Sequence, residues 1–298
     1  MINKKIENKL GSLETIRETT FNFDEYEKVI PDHKKKLDPE FLEYLIGFFE
    51  GDGSLSMNSR TGRVDFGLYQ HSRDLSFLHN IRTQLGFGRV YLSKTRPSEC
   101  FLKISNEKNF LKIVHLLNGN LCSVKRRKQF KIFLEMFNKK YNRSISLKLG
   151  GPSVSLDTAW LSGFIDAQGC FSCHVSKRRV NSRYYKVHPT FYISQKTQHI
   201  IEDIRNLFMR TQSNVYWESS WDGYTFESSG EKVRRKLIQY LQRYKLKTGK
   251  RMAYLNWKNI HFFVQDKHHL SDQGSKTILS MIKRIQKINQ RVEDRVRS

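Results

Sequence analysis

The stretch Leu45-Ile46-Gly47-Phe48-Phe49-Glu50-Gly51-Asp52-Gly53 decides the fold, and it returns in altered form as Leu161-Ser162-Gly163-Phe164-Ile165-Asp166-Ala167-Gln168-Gly169. A helix-start signal precedes each copy: Asp38 followed by Pro39 before the first, and Asp157 before the second. Each copy ends on a glycine, which is the usual residue at a helix stop. The two stretches therefore predict two equivalent helices.

Small residues recur four positions apart in each predicted helix, at Gly47 and Gly51 and at Gly163 and Ala167. This spacing places them on one helix face, where two helix backbones can approach closely. Asp52 falls at a helix C-terminus, where the macrodipole disfavours a negative charge. A bound cation explains such an acid. The alternative is a pair of buried helices with a solvated aspartate, and the recurrence of the stretch favours the cation site.

The two stretches resemble the LAGLIDADG motif of homing endonucleases and intron maturases, in the single-chain form with two motifs. The resemblance runs from Leu37 to Phe263. It implies an α/β (α+β) fold of two pseudo-symmetric αββαββα repeats, each with a saddle-shaped antiparallel sheet. The repeats would pack through the two motif helices, and the protein would be a monomer. The last acidic positions of the motifs, Asp52 and Gln168, would then meet beneath DNA. Gln168 departs from the family pattern.

The composition favours a polyanionic partner. Lys and Arg number 53 against 29 acids, which gives a net charge of +24. A chain with 38% hydrophobic and 12% aromatic residues is rich enough in core formers to fold, so the charge does not signal global disorder. Nucleic acid is favoured over a membrane, because no apolar run is long enough to span a bilayer.

The four cysteines indicate a reduced compartment rather than a disulfide framework. Cys170 and Cys173 have a zinc-like spacing, but no second pair completes a site. Residues 1–36 are too rich in acids for a clear targeting peptide. With the resemblance, these features predict an organellar protein (mitochondrion or chloroplast) that is encoded in the organelle itself.

Periodicity after the first motif predicts the order strand, strand, helix, strand, strand, helix, helix. The predicted elements are Ser54–Asn58, Val64–Gln70, Asp74–Leu85, Gly88–Ser93, Cys100–Ser105, Asn109–Leu117 and Lys125–Phe137.

The same order returns in the second half, which indicates an internal duplication. An offset of 125 positions relates Gln70 to Gln195, Phe101 to Phe226 and Lys125 to Lys250. The motifs themselves are offset by only 116, so the second repeat holds nine extra residues in its first hairpin. The predicted organisation is an N-terminal extension (1–36), a first repeat (37–140), a linker (141–156), a second repeat (157–265) and a basic helical tail (266–298).

Several residues are candidates for chemistry. Gln70 and Gln195 each end an apolar row of a strand, so each is either a structural hydrogen-bonding residue or part of a site; their matched positions favour a site. Lys125 and Lys250 open predicted helices, where a positive charge is unfavourable without a nearby anion such as phosphate. In the family, a lysine at this place lies beside the active centre and is thought to assist the attacking water or the developing charge.

The polar faces of the two predicted sheets are candidates for reading base edges in a major groove, the alternative being an ordinary solvated sheet face. The candidate DNA-binding residues of the first repeat are Ser54, Ser56, Asn58, Arg60, Arg63, Asp65, Tyr69, His71, Arg73, Tyr91, Lys94 and Lys103. Those of the second repeat are Ser172, His174, Ser176, Lys177, Arg178, Arg179, Arg183, Lys186, His188, Tyr192, Ser194, Lys196 and Tyr216.

The reaction that the resemblance implies is divalent-metal-assisted hydrolysis of DNA phosphodiesters, with Mg²⁺ as the expected ion. Its candidate ligands are Asp52, Gln168 and the backbone carbonyls of Gly51 and Ala167. The family pattern uses one acid for each strand that is cut, and Gln168 offers only a neutral oxygen. Cleavage is therefore expected to be slow, strand-biased or lost.

The sequence favours a site-specific homing endonuclease of an intron that acts on double-stranded DNA. Two alternatives remain open. One is an RNA maturase that assists the folding of its host intron RNA, and the other is a DNA-binding protein with weakened or lost cleavage.

Overall fold

The computed structural model describes residues 20–57, 64–177, 185–209 and 215–293. A short helix, α1 (Asp24–Lys28), precedes the first repeat. The elements of the first repeat are α2 (Pro39–Asp52), β1 (Gly53–Met57), β2 (Val64–His71), α3 (Leu75–Leu85), β3 (Arg89–Leu92), β4 (Glu99–Ile104), α4 (Glu107–Leu117) and α5 (Val124–Tyr141). Those of the second are α6 (Trp160–Gln168), β5 (Gly169–Lys177), β6 (Tyr185–Gln195), α7 (Gln198–Phe208), β7 (Val215–Glu218), β8 (Gly223–Ser228), α8 (Glu231–Arg243) and α9 (Lys250–Gln265), and α10 (Asp272–Glu293) follows.

Each repeat builds one four-stranded antiparallel sheet, with the strand order β1-β2-β4-β3 in the first and β5-β6-β8-β7 in the second. The identical order confirms the predicted duplication and the mixed α/β fold of two pseudo-symmetric repeats. Phe66 and Leu68 on β2, and Phe191 and Ile193 on β6, are buried, so the inner face of each sheet packs on helices. The opposite face of each sheet, called the outer face below, carries the alternate residues.

The helices α2 and α6 form the interface between the repeats. A Cβ added at Gly47 would lie 1.9 Å from the Trp160 carbonyl oxygen, and one at Gly163 would lie 1.9 Å from the Tyr44 carbonyl oxygen. A Cβ at Gly51 would lie 2.3 Å from the Cβ of Ala167. The small residues therefore form the helix contact that their spacing predicts. The two backbones approach this closely because glycine has no side chain and alanine has only a methyl group.

The two helices begin in different ways. The Asp38 side chain accepts a hydrogen bond from Glu40 N at 3.0 Å and caps α2 as predicted. The predicted cap at Asp157 is wrong, because α6 begins at Trp160. Its first turn is held instead by Glu43 of α2, which accepts from Ala159 N at 2.8 Å. The start of the second motif helix thus depends on the first motif helix.

The 125-position offset fails in the last strand. β3 pairs Leu92 with Cys100, whereas β7 pairs Trp217 with Tyr224, so the second hairpin is one residue shorter. A one-residue change exchanges the two faces of a strand. Phe226 is consequently buried on the inner face, and its structural equivalent is Leu102, not Phe101.

The terminal segments pack on the repeats. Asn22 N donates to Asn120 Oδ1 at 2.8 Å, and Tyr26 of α1 is buried, so this part of the N-terminal extension docks on the first repeat. The predicted helical tail is α10, whose Asn289 Nδ2 donates to Phe171 O at 2.9 Å. No helix among the described residues combines the length and apolarity that a bilayer span requires.

Gly47→Ala should lower the free energy of unfolding by about 1–3 kcal/mol or more, because even one added methyl group overlaps the backbone of the opposite helix. Thermal melting measures the effect. Gly230→Ser is the matched control, since the nearest atoms to a Cβ at Gly230 lie 3.5 and 4.0 Å away. Equal melting of Gly47→Ala and wild type would show that the two helices do not meet at this position.

Candidate active centre and nucleic-acid interface

The C-terminal ends of the two motif helices meet through side chains. Gln168 Nε2 donates to Asp52 Oδ1 at 2.9 Å and to the carbonyl oxygen of Gly51 at 3.1 Å. The close packing of Gly51 on Ala167 brings these two helix ends together. The expected juxtaposition of Asp52 and Gln168 is thus a direct hydrogen bond between an amide and a carboxylate.

The two glutamines at the strand ends have different partners. Gln70 is buried at the end of β2, and its Nε2 donates to Asp52 Oδ2 at 3.1 Å. Gln195 is half-buried, and its Oε1 accepts from Lys196 N at 2.9 Å. The carboxylate of Asp52 therefore accepts one amide from each repeat, while Gln195 binds its own backbone neighbour.

Lys250, at the first position of α9, caps the C-terminus of α6. Its Nζ donates to the carbonyl oxygens of Ile165, Asp166 and Ala167, at 3.0, 2.8 and 3.4 Å. Burial lowers the pKa of Lys250, and the nearby Asp166 carboxylate opposes that shift. These carbonyls have no partner within α6 and carry the partial negative charge of its dipole. They therefore offset the unfavourable position of a lysine at the N-terminus of α9.

In the first repeat, Arg126 makes the equivalent contact. Its Nε donates to Glu50 O at 3.0 Å, and its Nη2 lies 3.5 Å from Gly51 O at the C-terminus of α2. Lys125, which the 125-position offset pairs with Lys250, is exposed and lines a groove with His199. The offset is wrong by one residue here. The longer arginine reaches the helix end from the next position, and sequence spacing gave no sign of this.

Glu50, two residues before the end of α2, is buried and accepts three hydrogen bonds. It accepts from Cys122 N at 3.0 Å, from Ser123 N at 2.7 Å and from Trp160 Nε1 at 2.6 Å. The first two donors precede α5, which carries Arg126, and the third belongs to the opposite motif helix. Burial raises the pKa of Glu50, and the two backbone N–H groups oppose that shift most strongly.

Asp166 repeats this arrangement with the repeats exchanged. It accepts from Lys247 N and from the Thr248 hydroxyl, both at 2.6 Å, in the loop before α9. It also accepts from the hydroxyl of Tyr44 on the opposite motif helix at 2.6 Å. We call these two sets of contacts the carboxylate clamps. Sequence reasoning missed them, although Glu50 and Asp166, and Tyr44 and Trp160, share the 116-position motif offset.

The oxygens near the helix ends are suited to a hard cation. They comprise the carboxylate of Asp52, the amide oxygen of Gln168 and the carbonyls of Gly51 and Ala167. Among the described residues, no group of three or more His, Cys, Asp or Glu side chains could hold a metal ion. A cation here would have a single carboxylate ligand, and Mg²⁺ tolerates this because it keeps several waters and takes phosphate oxygens.

Most candidate DNA-binding residues of the first repeat lie on the outer face. Between β1 and β2, the register pairs Ser54 with Gly67 and Ser56 with Asp65. Phe101 of β4 pairs with Tyr69 on one side and with Tyr91 on the other. Lys103 and Asp65 form an ion pair at 3.1 Å on that face. His71 ends β2 on the same face and accepts from Arg73 N at 3.2 Å, and Lys94 is exposed after β3.

Arg73 lies elsewhere. Its Nη1 donates to the carbonyl of Ile288 on α10 at 2.9 Å, and its Nε lies 3.5 Å from Asp74, which itself accepts from Gly249 N at 2.6 Å. The structure does not agree with the prediction that Arg73 faces DNA. That prediction extended the strand alternation of β2 to Arg73, but the alternation stops at the turn after β2. The side chain links the first repeat to the C-terminal helix.

In the second repeat the register places alternate candidates on the outer face. His174 pairs with His188 and Ser176 with Lys186, and all four are exposed. Ser172, Tyr192 and Ser194 share this face by strand alternation and are half-buried, while Tyr216 and Lys196 are exposed. Lys177 ends β5. Asn58, Arg60, Arg63, Arg178, Arg179 and Arg183 lie outside the described residues.

Comparison with known proteins identifies the family. The LAGLIDADG endonuclease family model matches residues 45–137 and 161–261, which is most of the two repeats. The probable intron-encoded endonuclease 4 of Neurospora crassa is 33% identical over 248 residues, which span 83% of this chain but 44% of that protein. The chain belongs to the LAGLIDADG endonuclease family.

Other relatives differ in their named roles. A cox1 intron-2 protein of Schizosaccharomyces pombe is 27% identical over 258 residues, spanning 86% of this chain and 75% of that protein. The intron-encoded RNA maturase bI4 of Saccharomyces cerevisiae is 25% identical over 186 residues, spanning 62% of this chain and 26% of that protein. Among solved structures, the LAGLIDADG meganuclease I-CpaMI bound to uncleaved DNA has the same fold, with a TM-score of 0.67 at 21% identity over 83% of this chain and 99% of that chain.

Glu50→Gln should destabilise the protein by about 1–3 kcal/mol, because one amide oxygen cannot satisfy three donors and the amide N–H groups would face backbone N–H groups. Chemical denaturation measures the change. Glu135→Gln, an exposed carboxylate on α5, is the matched control and should stay within about 0.5 kcal/mol of wild type. Equal stability of the two variants would show that the first clamp contributes nothing.

Proposed function

We propose that this protein is a site-specific DNA endonuclease of an intron, which hydrolyses phosphodiesters of double-stranded DNA with a divalent cation, Mg²⁺. The observation that carries the proposal is the contact of Asp52 with Gln168 at the paired helix ends, 2.9 Å apart. Each of these residues leads directly into the first strand of its sheet, β1 or β5. The proposed catalytic residues are therefore continuous in the chain with the strands that would contact the DNA.

Asp52 and the carbonyl of Gly51 would hold the cation on one side, and the amide oxygen of Gln168 and the carbonyl of Ala167 on the other. When bound, such a cation activates water, neutralises charge on the phosphate and assists the departing oxygen. Gln70 fixes the Asp52 carboxylate by its hydrogen bond to Oδ2. Gln195 would orient water or phosphate in the second half.

Lys250 and Arg126 supply positive charge at both helix ends. Their hydrogen bonds to the terminal carbonyls keep these charges beside the centre before any phosphate arrives. Preorganised charge of this kind stabilises a developing negative charge without reorganisation during the reaction. Lys125, exposed one position earlier, would contact the DNA backbone instead.

The two halves of the centre differ in charge. Asp52 carries the sole carboxylate at the helix ends, and Gln168 is neutral and donates to it. A neutral oxygen attracts a dication less strongly than a carboxylate does. We infer that one DNA strand is cut faster than the other.

The outer faces of both sheets would contact the DNA. Relatives encoded in introns support an organellar protein, expressed in the mitochondrion or chloroplast. The presence of both motifs in one chain supports its action as a monomer. A second candidate function, assistance in splicing of the host intron RNA, is favoured by the likeness to the Saccharomyces cerevisiae maturase and by the missing second carboxylate.

Asp52→Asn should abolish Mg²⁺-dependent cleavage and leave DNA affinity nearly unchanged, because it removes the sole carboxylate at the helix ends. Strand-labelled duplexes spanning the intron insertion site measure both quantities. Wild type should cut one strand faster. Cleavage of both strands at equal rates would contradict the asymmetry. Binding without any cleavage would favour the maturase or a DNA-binding protein that has lost cleavage.

Gln168→Glu should raise the rate on the slower strand and narrow the difference between strands. It places a second carboxylate against Asp52, in place of the present amide contact at 2.9 Å. Repulsion between the two should lower the melting temperature in EDTA, and Mg²⁺ should restore it. Asp157→Glu, which adds no charge near the centre, is the control. A melting temperature of Gln168→Glu that does not respond to Mg²⁺ would contradict a cation site.

The affinity for DNA should fall steeply with salt. If about ten phosphates are neutralised, the slope of log affinity against log salt concentration should be about −9. Fluorescence anisotropy across a salt series provides the measurement. A slope near zero would contradict binding through the basic surface.

A further inference from the structure

The outer faces of the two sheets differ at the row of residues beside the active centre. In the first sheet, the cross-strand row is Tyr69, Phe101 and Tyr91, from β2, β4 and β3. The structurally equivalent row of the second sheet is Ser194, Thr225 and Tyr216. The 125-position offset conceals this difference, because it matches Phe101 with the inward Phe226 instead of the outward Thr225.

The first row, which we call the aromatic row, is a packed cluster. The ring centroids of Tyr69 and Phe101 are 5.7 Å apart, and those of Tyr91 and Phe101 are 5.3 Å apart. A Cβ at Gly67 would lie 2.8 Å from the Tyr69 ring, so the ring lies along the strand over the space that glycine leaves. These contacts fix the orientation of the rings before any partner binds.

The aromatic row is nevertheless open on its outer side, since Tyr69 and Tyr91 are each 40% exposed. In the second row, the hydroxyls of Ser194 and Thr225 are 2.8 Å apart, and the Tyr216 hydroxyl donates to Glu227 at 2.9 Å. Thr225 is also buried, so its hydroxyl is used within the sheet. One repeat therefore presents a preformed apolar surface that the other lacks.

In the proposed function, the position of the aromatic row sets it against the DNA beside the scissile phosphates. Tyr69 directly precedes Gln70, whose amide donates to Asp52, so the row lies on the opposite face of β2 at the level of the active centre. Lys103, on the same outer face two positions beyond Phe101, has Asp65 at 3.1 Å, and a protein of net charge +24 is attracted to a polyanion. The apolar group that duplex DNA exposes in its major groove is the C5-methyl group of thymine.

We infer that the first repeat selects thymine near the cleavage site through contact of its methyl group with the aromatic row, and that the second repeat, which lacks this row, makes no equivalent contact. This inference rests on the proposed DNA-binding function. It deepens that function by assigning thymine recognition to one half-site and not to the other.

Selection of bound duplexes from a randomised library tests the inference whatever the target sequence is. Wild type should enrich thymine at one or more positions of one half-site. Phe101→Thr, which copies the second repeat, should lose the enrichment at those positions and keep it elsewhere. Ile132→Thr, at an exposed apolar residue of α5, is the matched control and should leave the selected sequence unchanged.

Replacement of the selected thymines by uracil removes only the methyl group, and it requires no variant. Each replacement should weaken binding by wild type about fourfold, the value of one buried methyl group. Thermal melting first establishes that Phe101→Thr is folded. Its affinity for DNA should then be the same with thymine and with uracil. Uracil in the other half-site should have no effect on either protein.

The possible failures are distinguishable. Sequence-specific binding by wild type with no response to uracil would overturn the aromatic-row inference and leave the proposed function intact. The inference would also be overturned if uracil weakened binding only in the half-site whose selected sequence is unchanged by Phe101→Thr. Absence of binding to any duplex would overturn the proposed function itself, and the inference with it.

Discussion

The close contact of two helix backbones at Gly47 and Gly163 is the constraint on which the rest of this structure depends. Each glycine leaves room for a carbonyl oxygen of the opposite helix, 1.9 Å from where a Cβ would stand. At this separation the helix ends carry Asp52 and Gln168 into hydrogen-bonding distance. It also lets Trp160 and Tyr44 reach the buried carboxylates of the opposite helix.

The carboxylate clamps connect this helix pair to the charged residues around the centre. Glu50 and Asp166 each bind the loop that starts the helix carrying Arg126 or Lys250, and those side chains return to cap the same motif helix. A buried carboxylate is costly unless its hydrogen bonds are made, and here each has donors from both repeats. The clamps therefore make the position of the basic groups depend on correct assembly of both repeats.

The duplication has kept the framework and changed the chemistry. Both sheets share one strand order, and both clamps share one geometry. The centre, by contrast, pairs Asp52 with Gln168, and the outer rows pair aromatic rings with hydroxyl groups. In the proposed function, two unlike halves in a single chain would suit a DNA target without twofold symmetry, because each half-site would meet different side chains.

Much of the fold was predictable from the sequence, because the motif, the small-residue spacing and the alternation of apolar residues are local patterns. The site was predictable only in part. Arg126, rather than Lys125, reaches the helix end because side-chain length matters there as well as spacing. The one-residue shortening of a hairpin that turns Phe226 inward, and the contact of Arg73 with α10, depend on turn geometry and tertiary packing that no periodicity records.

The most direct test of this account is the crystal structure of the protein with its DNA target and Mn²⁺, an ion of similar ligand preference to Mg²⁺ whose anomalous scattering can be measured. The account predicts a strong anomalous peak against Asp52 and a weaker one, or none, beside Gln168. Two peaks of equal height would contradict the proposed asymmetry of the centre. A peak remote from both helix ends would contradict the assignment of the centre itself.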